Sequence, residues 1–163
     1  MGKSDHYHGI VTAPWGALGY VVRGGALVNI DFLPSSSATR SARDVLGRRI
    51  EAQLLCFFKD PGAGFDIPVQ PHGTDYQRRV WSAMQCIAPG QRMTYGELAH
   101  RLQSGPRAVG GACRANPIPL VIPCHRVVSA QGLGGYCGYS GAPGQHMLRV
   151  KQWLLAHEAD VAS

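Results

Sequence analysis

The chain has 163 residues, 45% of them apolar and 16% charged, with a formal net charge of +6 and a pI near 9.3. It is long enough for one or two small domains with cores of their own, and too apolar for a disordered chain. No run approaches the ~20 consecutive apolar residues of a membrane-spanning helix. The basic balance permits nucleic-acid binding without requiring it. Five cysteines, Cys56, Cys86, Cys113, Cys124 and Cys137, are odd in number and form no CxxC pair. That argues against a disulfide framework or a four-cysteine zinc site and for a reducing compartment. The first residues, Met1-Gly2-Lys3-Ser4-Asp5-His6, lack the apolar core of a secretory signal, so a cytoplasmic location (nuclear if eukaryotic) is expected.

The first part of the chain alternates as sheet does. Strands are expected over 6–11, 18–22 and 26–32, with Arg23-Gly24-Gly25 as the hairpin between the second and third. From about 40 to 59, Val45, Ile50, Leu54, Leu55 and Phe58 recur at helical spacing, and Lys59-Asp60-Pro61-Gly62 stops the helix. His6 and His8 would share one face of the first strand, with His72 further on in the linker. The only cysteine of this half is Cys56, inside the expected helix, so these histidines read as structural or surface groups and no metal is expected. The proline-rich stretch 65–73 has no helical period and marks a boundary between domains 1–72 and 73–163.

Beyond it, Thr74-Asp75-Tyr76-Gln77 and Thr94-Tyr95-Gly96-Glu97 both have the form of a capping box, each opening a helix. The first carries Tyr76, Val80, Met84 and Ile87 on one face; the second runs to about Leu102. Gln103-Ser104-Gly105 is a turn, and Pro106 suits the first position of a third helix over about 106–114. Two short helices about a tight turn are compatible with a helix-turn-helix. Gly110 and Gly111 each weaken the third helix by roughly 1 kcal/mol relative to alanine. They permit either close packing on a neighbouring helix or close approach of a nucleic-acid backbone.

Asn116-Pro117 ends that helix, and the apolar run 118–122 is expected to be extended, delivering Pro123-Cys124-His125-Arg126 on stiff backbone. A thiol attacks only as thiolate, and an adjacent imidazole or cation lowers its pKa, so Cys124 is the candidate nucleophile and His125 its partner. A glycine-rich loop over 132–144 precedes a last helix over about 147–157. There is no internal repeat or low-complexity tract.

Arg107-Ala108-Val109-Gly110-Gly111-Ala112, Asn116-Pro117, Pro123-Cys124-His125-Arg126-Val127-Val128, Gly132-Leu133-Gly134-Gly135-Tyr136 and Lys151-Gln152-Trp153-Leu154-Leu155-Ala156-His157-Glu158 stand in an order and spacing that closely resembles the O6-alkylguanine-DNA alkyltransferases, or methylated-DNA–protein-cysteine methyltransferases. The resemblance runs from about Thr74 to Glu158. It implies an α/β (α+β) protein with a small N-terminal sheet-plus-helix domain, and a mainly helical alkyltransferase domain containing a helix-turn-helix. The implied partner is double-stranded DNA carrying O6-alkylguanine. No cofactor is implied, and the protein is expected to act as a monomer.

By the same resemblance Cys124 accepts the alkyl group in a single turnover, His125 acts through a water as its base, and Glu158 orients His125. Asn116 braces the turns of the active site, and Tyr95 donates its phenol proton to the purine. Arg107 fills the gap left by a flipped nucleotide, while Ala108, Gly110, Gly111 and Arg114 belong to the DNA-binding helix. Arg126 is implied as a structural ion-pair or backbone-bonding residue. Cys113, Pro119 and Tyr136 match alkyl-pocket positions, and the carbonyls of Cys124 and Val127 read the guanine amino group. The partner of O6 is one of Cys137, Tyr139 and Ser140. The alternative function is a lesion-binding protein that marks alkyl damage without repairing it; proteins of that kind commonly carry tryptophan where this chain has Cys124.

Overall fold

In the computed structural model, which describes residues 6–134 and 141–161 and only the backbone of 141–145, the alternating first part of the chain becomes antiparallel sheet. Strands β1 (Gly9–Ala13), β2 (Gly16–Arg23) and β3 (Ala26–Leu33) form a meander in that order. The β2–β3 turn puts Gly24 and Gly25 at φ 57° and 74°, the left-handed pair that only glycine adopts cheaply and that matches the strand twist. Leu18, Tyr20, Leu27 and Ile30 of the sheet are buried, as are Ile50, Leu54 and Phe57 of helix α1 (Val45–Lys59), and the Tyr20 hydroxyl joins the two by lying 3.3 Å from the Gly47 carbonyl. The buried Glu51 carboxylate accepts from the Tyr20 hydroxyl and from the Ala42 backbone N–H.

Three expectations for this half need correction. The first strand begins at Gly9, so His6 and His8 do not share a strand face; His8 instead pairs with Asp44 at 2.6 Å. Helix α1 begins at Val45, because Asp44 takes the N-cap position and accepts the Gly47 N–H, while Arg40 is held in a β-bridge to Ile10. The buried stripe of α1 is Gly47, Ile50, Glu51, Leu54 and Phe57, which leaves Val45 85% exposed and Leu55 46% exposed. A valine in the first turn reads as part of an apolar stripe until the cap fixes the phase of the helix.

The chain divides into two compact units, Met1–His72 and Gly73–Ser163. In the second, helices α2 (Asp75–Gln85) and α3 (Tyr95–Arg101) both start from complete capping boxes, with Thr74 and Thr94 as N-caps. Helix α4 spans Pro106–Arg114 with Pro106 in its first turn. The turn before it is fixed by α2. The Arg79 guanidinium donates to the Leu102 carbonyl at 3.1 Å, Tyr76 bonds Ser104 at 2.7 Å, and Gln103 takes a positive φ of 55°. The Trp81 indole, 1% exposed, donates to the Ala112 carbonyl at 2.8 Å and so ties α2 to α4.

The run 118–122 is not extended. Ile122 donates back to the Ile118 carbonyl at 2.9 Å, and Leu120 sits at φ 75°. Asn116 closes this loop by donating to the Ile122 carbonyl (2.8 Å) and accepting from the Ile118 N–H (3.0 Å). A residue-by-residue reading of apolar content cannot foresee a turn that a side chain outside the run imposes. Two short strands, β4 (Met93–Thr94) and β5 (Val127–Val128), pair in parallel and bring the start of α3 to the end of the cysteine turn. Helix α5 spans Gly141–Glu158, starting earlier than the expected residue 147. Among the described residues, no helix is long and apolar enough to cross a membrane.

Candidate active site and nucleic-acid interface

Pro123 leads into a single 3-10 turn, Cys124–Arg126, whose three residues are all buried; the Val127 N–H closes it on the Cys124 carbonyl. Cys124 is 4% exposed and His125 is fully buried. The turn packs on the last turn of α5, where Glu158 is 1% exposed. Its carboxylate bonds His125 Nε2 at 2.5 Å and accepts from Arg126 Nε at 3.0 and 2.8 Å, while Arg126 Nη1 donates to the Ile87 carbonyl at 2.7 Å. A carboxylate so placed is part of the interior, not the solvated helix end that glutamate usually occupies.

The charges follow from this packing. Burial penalises ionisation of Glu158, but the His125 hydrogen bond and the Arg126 guanidinium outweigh it and hold the carboxyl below its usual range. Burial pushes His125 down, and Arg126 and Lys151 add to this against the pull of Glu158, so the imidazole is neutral at pH 7. An ionised carboxylate only accepts, so Nε2 carries the ring proton and Nδ1 is the basic nitrogen. Nδ1 is buried with no hydrogen-bond partner among the described residues.

Tyr95 opens α3, half-buried, and burial followed by the neighbouring Cys113 and Cys124 pushes its phenol up to about 12. Gly134, at φ 73°, lies against its ring: a Cβ there would fall 2.9 Å from Cε2 and 3.1 Å from the hydroxyl. Cys113 on α4 is 5% exposed, its sulfur 3.4 Å from the Met84 sulfur, and burial with the nearby Cys124 raises its thiol to about 12. Pro119 and Val127 are buried. None of Cys56, Cys86, Cys113 and Cys124 is in a disulfide, and among the described residues no group of three or more His, Cys, Asp or Glu could hold a metal ion. A cavity of about 180 Å³ lies beside Glu158, bounded by Gly90, Gln91, Arg92, Leu155 and Ala159; it shares no residue with the expected alkyl pocket. Tyr136, Cys137, Tyr139 and Ser140 lie outside the described residues.

Helix α4 buries Val109, Ala112 and Cys113 and exposes Arg107, Ala108 and Arg114. A Cβ added at Gly110 or Gly111 would meet nothing within 4 Å. Of the two readings of this glycine pair, close packing on a neighbouring helix therefore finds no neighbour to support it among the described residues.

Sequence reasoning missed Lys151. It is fully buried in the middle of α5, donates to the Val127 carbonyl at 2.7 Å and stands 6.0 Å from the centroid of the Tyr95 ring. The signal available was its position, four residues before the buried Leu155 and seven before Glu158, on the inner face of a helix.

Residues 75–160 match the family model for the DNA-binding domain of 6-O-methylguanine DNA methyltransferase. The methylated-DNA–protein-cysteine methyltransferase of Methanosarcina barkeri is 34% identical over 160 residues, covering 93% of this chain and 96% of that one. That of Methanosarcina mazei is 41% identical over 114 residues, 68% of this chain and 67% of the relative. Among solved structures, Mycobacterium tuberculosis OGT in complex with DNA superposes with a TM-score of 0.74 at 31% identity, covering 93% of this chain and 92% of that one. The chain belongs to the methylated-DNA–protein-cysteine methyltransferase family.

Proposed function

We propose that this protein repairs O6-alkylguanine in duplex DNA by moving the alkyl group to its own Cys124, once per molecule. The observation that carries the reading is the buried chain Cys124, His125, Glu158. Glu158, kept ionised by Arg126, fixes the tautomer of His125, and the remaining nitrogen, Nδ1, takes the thiol proton through a bridging water. The sulfur then attacks the alkyl carbon in line, the C–S bond forms as the C–O6 bond breaks, and the bonding pair leaves on the purine. Tyr95 gives its proton to the purine ring, so the products are S-alkylcysteine and neutral guanine. A general base and a general acid so positioned are each worth about 10²–10⁴ in rate. The thioether has no route back to thiol, which makes the protein a reagent as much as a catalyst.

The target must leave the base stack, at a cost of a few kcal/mol. We read α3, the turn at 102–105 and α4 as the helix-turn-helix that presents α4 to the minor groove, where the open face at Gly110 and Gly111 admits the backbone. Arg107, exposed at the start of α4, fills the vacated stack, and Arg114 neutralises phosphate. Asn116 holds the loop before the nucleophile, Cys113 and Pro119 line the alkyl side, and the carbonyls of Cys124 and Val127 read the guanine amino group. The 1–72 unit is structural in this reading, and repair takes place in the compartment that holds DNA and keeps thiols reduced. A protein that only marks the lesion would need no neutral imidazole held by an ionised carboxylate behind a buried thiol.

The test is incubation with duplex DNA containing O6-methylguanine, followed by peptide mapping. One methyl should appear on the Cys124 peptide. Cys124→Ala should lose transfer and keep DNA binding; transfer retained in that variant refutes the assignment.

A further inference from the structure

Helix α4 is poorly fixed by its own sequence at the end that carries Arg107. Its N-cap residue, Gly105, gives no side-chain cap, its first turn holds no acidic residue, and Pro106 has no N–H to donate. Packing does not hold that turn either, because Gly105, Pro106, Arg107 and Ala108 are all exposed and burial begins at Val109. The chain enters it from a Schellman closure on α3. The Gln103 N–H donates to the His100 carbonyl at 3.1 Å and the Ser104 N–H to the Ala99 carbonyl at 2.8 Å. Such a closure puts one residue in the left-handed region, where glycine is usual. Here that residue is Gln103, at φ 55°. A strained glutamine followed by an uncapped glycine is a joint that persists only with outside support.

The support comes from α2, a helix outside the α3–turn–α4 pair. The Tyr76 and Ser104 hydroxyls lie 2.7 Å apart in a part-buried setting, and the Arg79 guanidinium donates to the Leu102 carbonyl at 3.1 Å. Near the far end of α4 the Trp81 indole donates to the Ala112 carbonyl at 2.8 Å. Trp81 belongs to the core, 1% exposed, whereas the Tyr76 bond reaches the chain three residues before Arg107 and just ahead of the Gly105 joint. We propose that Tyr76 is a positioning residue for DNA binding, its bond to Ser104 setting the course of the first turn of α4 before the duplex arrives. This inference rests on the reading of α4 as the helix that meets DNA. A first turn free to swing about Gly105 would have to be ordered in each binding event, and the cost of that ordering is subtracted from affinity. Holding Ser104 in advance removes the cost and delivers Arg107 to one place.

The experiment is a double-mutant cycle on DNA affinity. The full-length protein, Tyr76→Phe, Ser104→Ala and the double variant are titrated into labelled lesion-free duplex at fixed salt, with anisotropy as the readout and melting temperature measured alongside. None of these changes alters charge, so a difference in affinity is not a difference in phosphate attraction. Tyr76→Phe and Ser104→Ala should each weaken binding by about threefold or more, the size expected for one hydrogen bond. The double variant should be within about twofold of the weaker single, because both changes remove the same bond. Ser104→Thr, which keeps a hydroxyl at that point, should bind as the wild type does. A loss of less than about threefold in Tyr76→Phe overturns the proposal, and a lowered melting temperature with that result would assign the bond to the fold alone. Losses that multiply in the double variant also overturn it, since the two hydroxyls would then act separately, as direct contacts to DNA would. Failure of the wild-type protein to bind duplex at all would instead remove the DNA-binding reading of α4.

Discussion

Replacing Gly110 or Gly111 by alanine should make the protein more stable and worse at binding DNA, an opposition of signs that few other substitutions would produce. Both glycines are inside α4, at ordinary helical φ, and neither would push its new Cβ against any atom within 4 Å. The folded state therefore accepts the methyl without strain, and the intrinsic helix preference of alanine applies in full, about 0.8–1.0 kcal/mol per site. For a unit the size of residues 73–163 that is a rise in Tm of roughly 4–8 °C. The same methyl stands on the surface between exposed Arg107 and Arg114, where a groove backbone has to come close. A tenfold loss of affinity corresponds to only about 1.4 kcal/mol of lost contact. Thermal unfolding followed by circular dichroism gives the first quantity, and fluorescence anisotropy with labelled lesion-free duplex at fixed salt gives the second. Unchanged affinity with a higher Tm would mean that DNA does not approach this face. A lower Tm would mean that the glycines serve the fold after all.

Other expectations follow from the buried polar groups. Glu158→Gln leaves Arg126 without its carboxylate in a site 1% exposed at Glu158, so stability should drop by about 3–5 kcal/mol and transfer by at least about 100-fold, read by urea unfolding and a transfer time course. Asn116→Ala strands the Ile122 carbonyl and the Ile118 N–H, and should cost about 1–3 kcal/mol for each buried group left unsatisfied; a loss under about 1 kcal/mol in total would show that the loop holds itself. His125 and Glu158 both titrate below their unfolded values, so the unfolded chain takes up protons first as pH falls. Their contribution is complete above about pH 6.5, the unperturbed histidine value, and is lost on acidification, first through His125 and then, below the ordinary carboxylate range, through Glu158. Melting temperatures measured from pH 8 to pH 4 should decline across that window, and a Tm that is flat or rising on acidification contradicts the assigned charges.

What the sequence disclosed, and what it concealed, divides by the range of the forces involved. Thr74 and Thr94 announce their helices because a capping box closes within four residues, and both form as read. Pro106 and Arg114 bound α4 for equally local reasons. The Cys124–His125 pair could be picked out from its own chemistry, but Glu158 was legible only through likeness to a family, since nothing local distinguishes a glutamate at a helix end from a solvated one. The turn at 118–122 depends on Asn116 reaching across it, and Leu120 accepts φ 75° only because that clasp exists. Strands β4 and β5 are two residues each, too short to show any period. Lys151 escaped notice because a lysine in an amphipathic helix is read as surface, and the contacts that draw it inward come from Val127 and Tyr95, far along the chain.

The central claim, that one sulfur receives one alkyl group and is then spent, is tested most directly by titration to completion. Protein is mixed with a large excess of duplex bearing O6-methylguanine with an isotopically labelled methyl group, and label is counted per chain and mapped by peptide. The account predicts a plateau at one methyl per molecule, all of it on Cys124. A count that keeps rising with time, or label that settles on Cys56, Cys86 or Cys113, would contradict it.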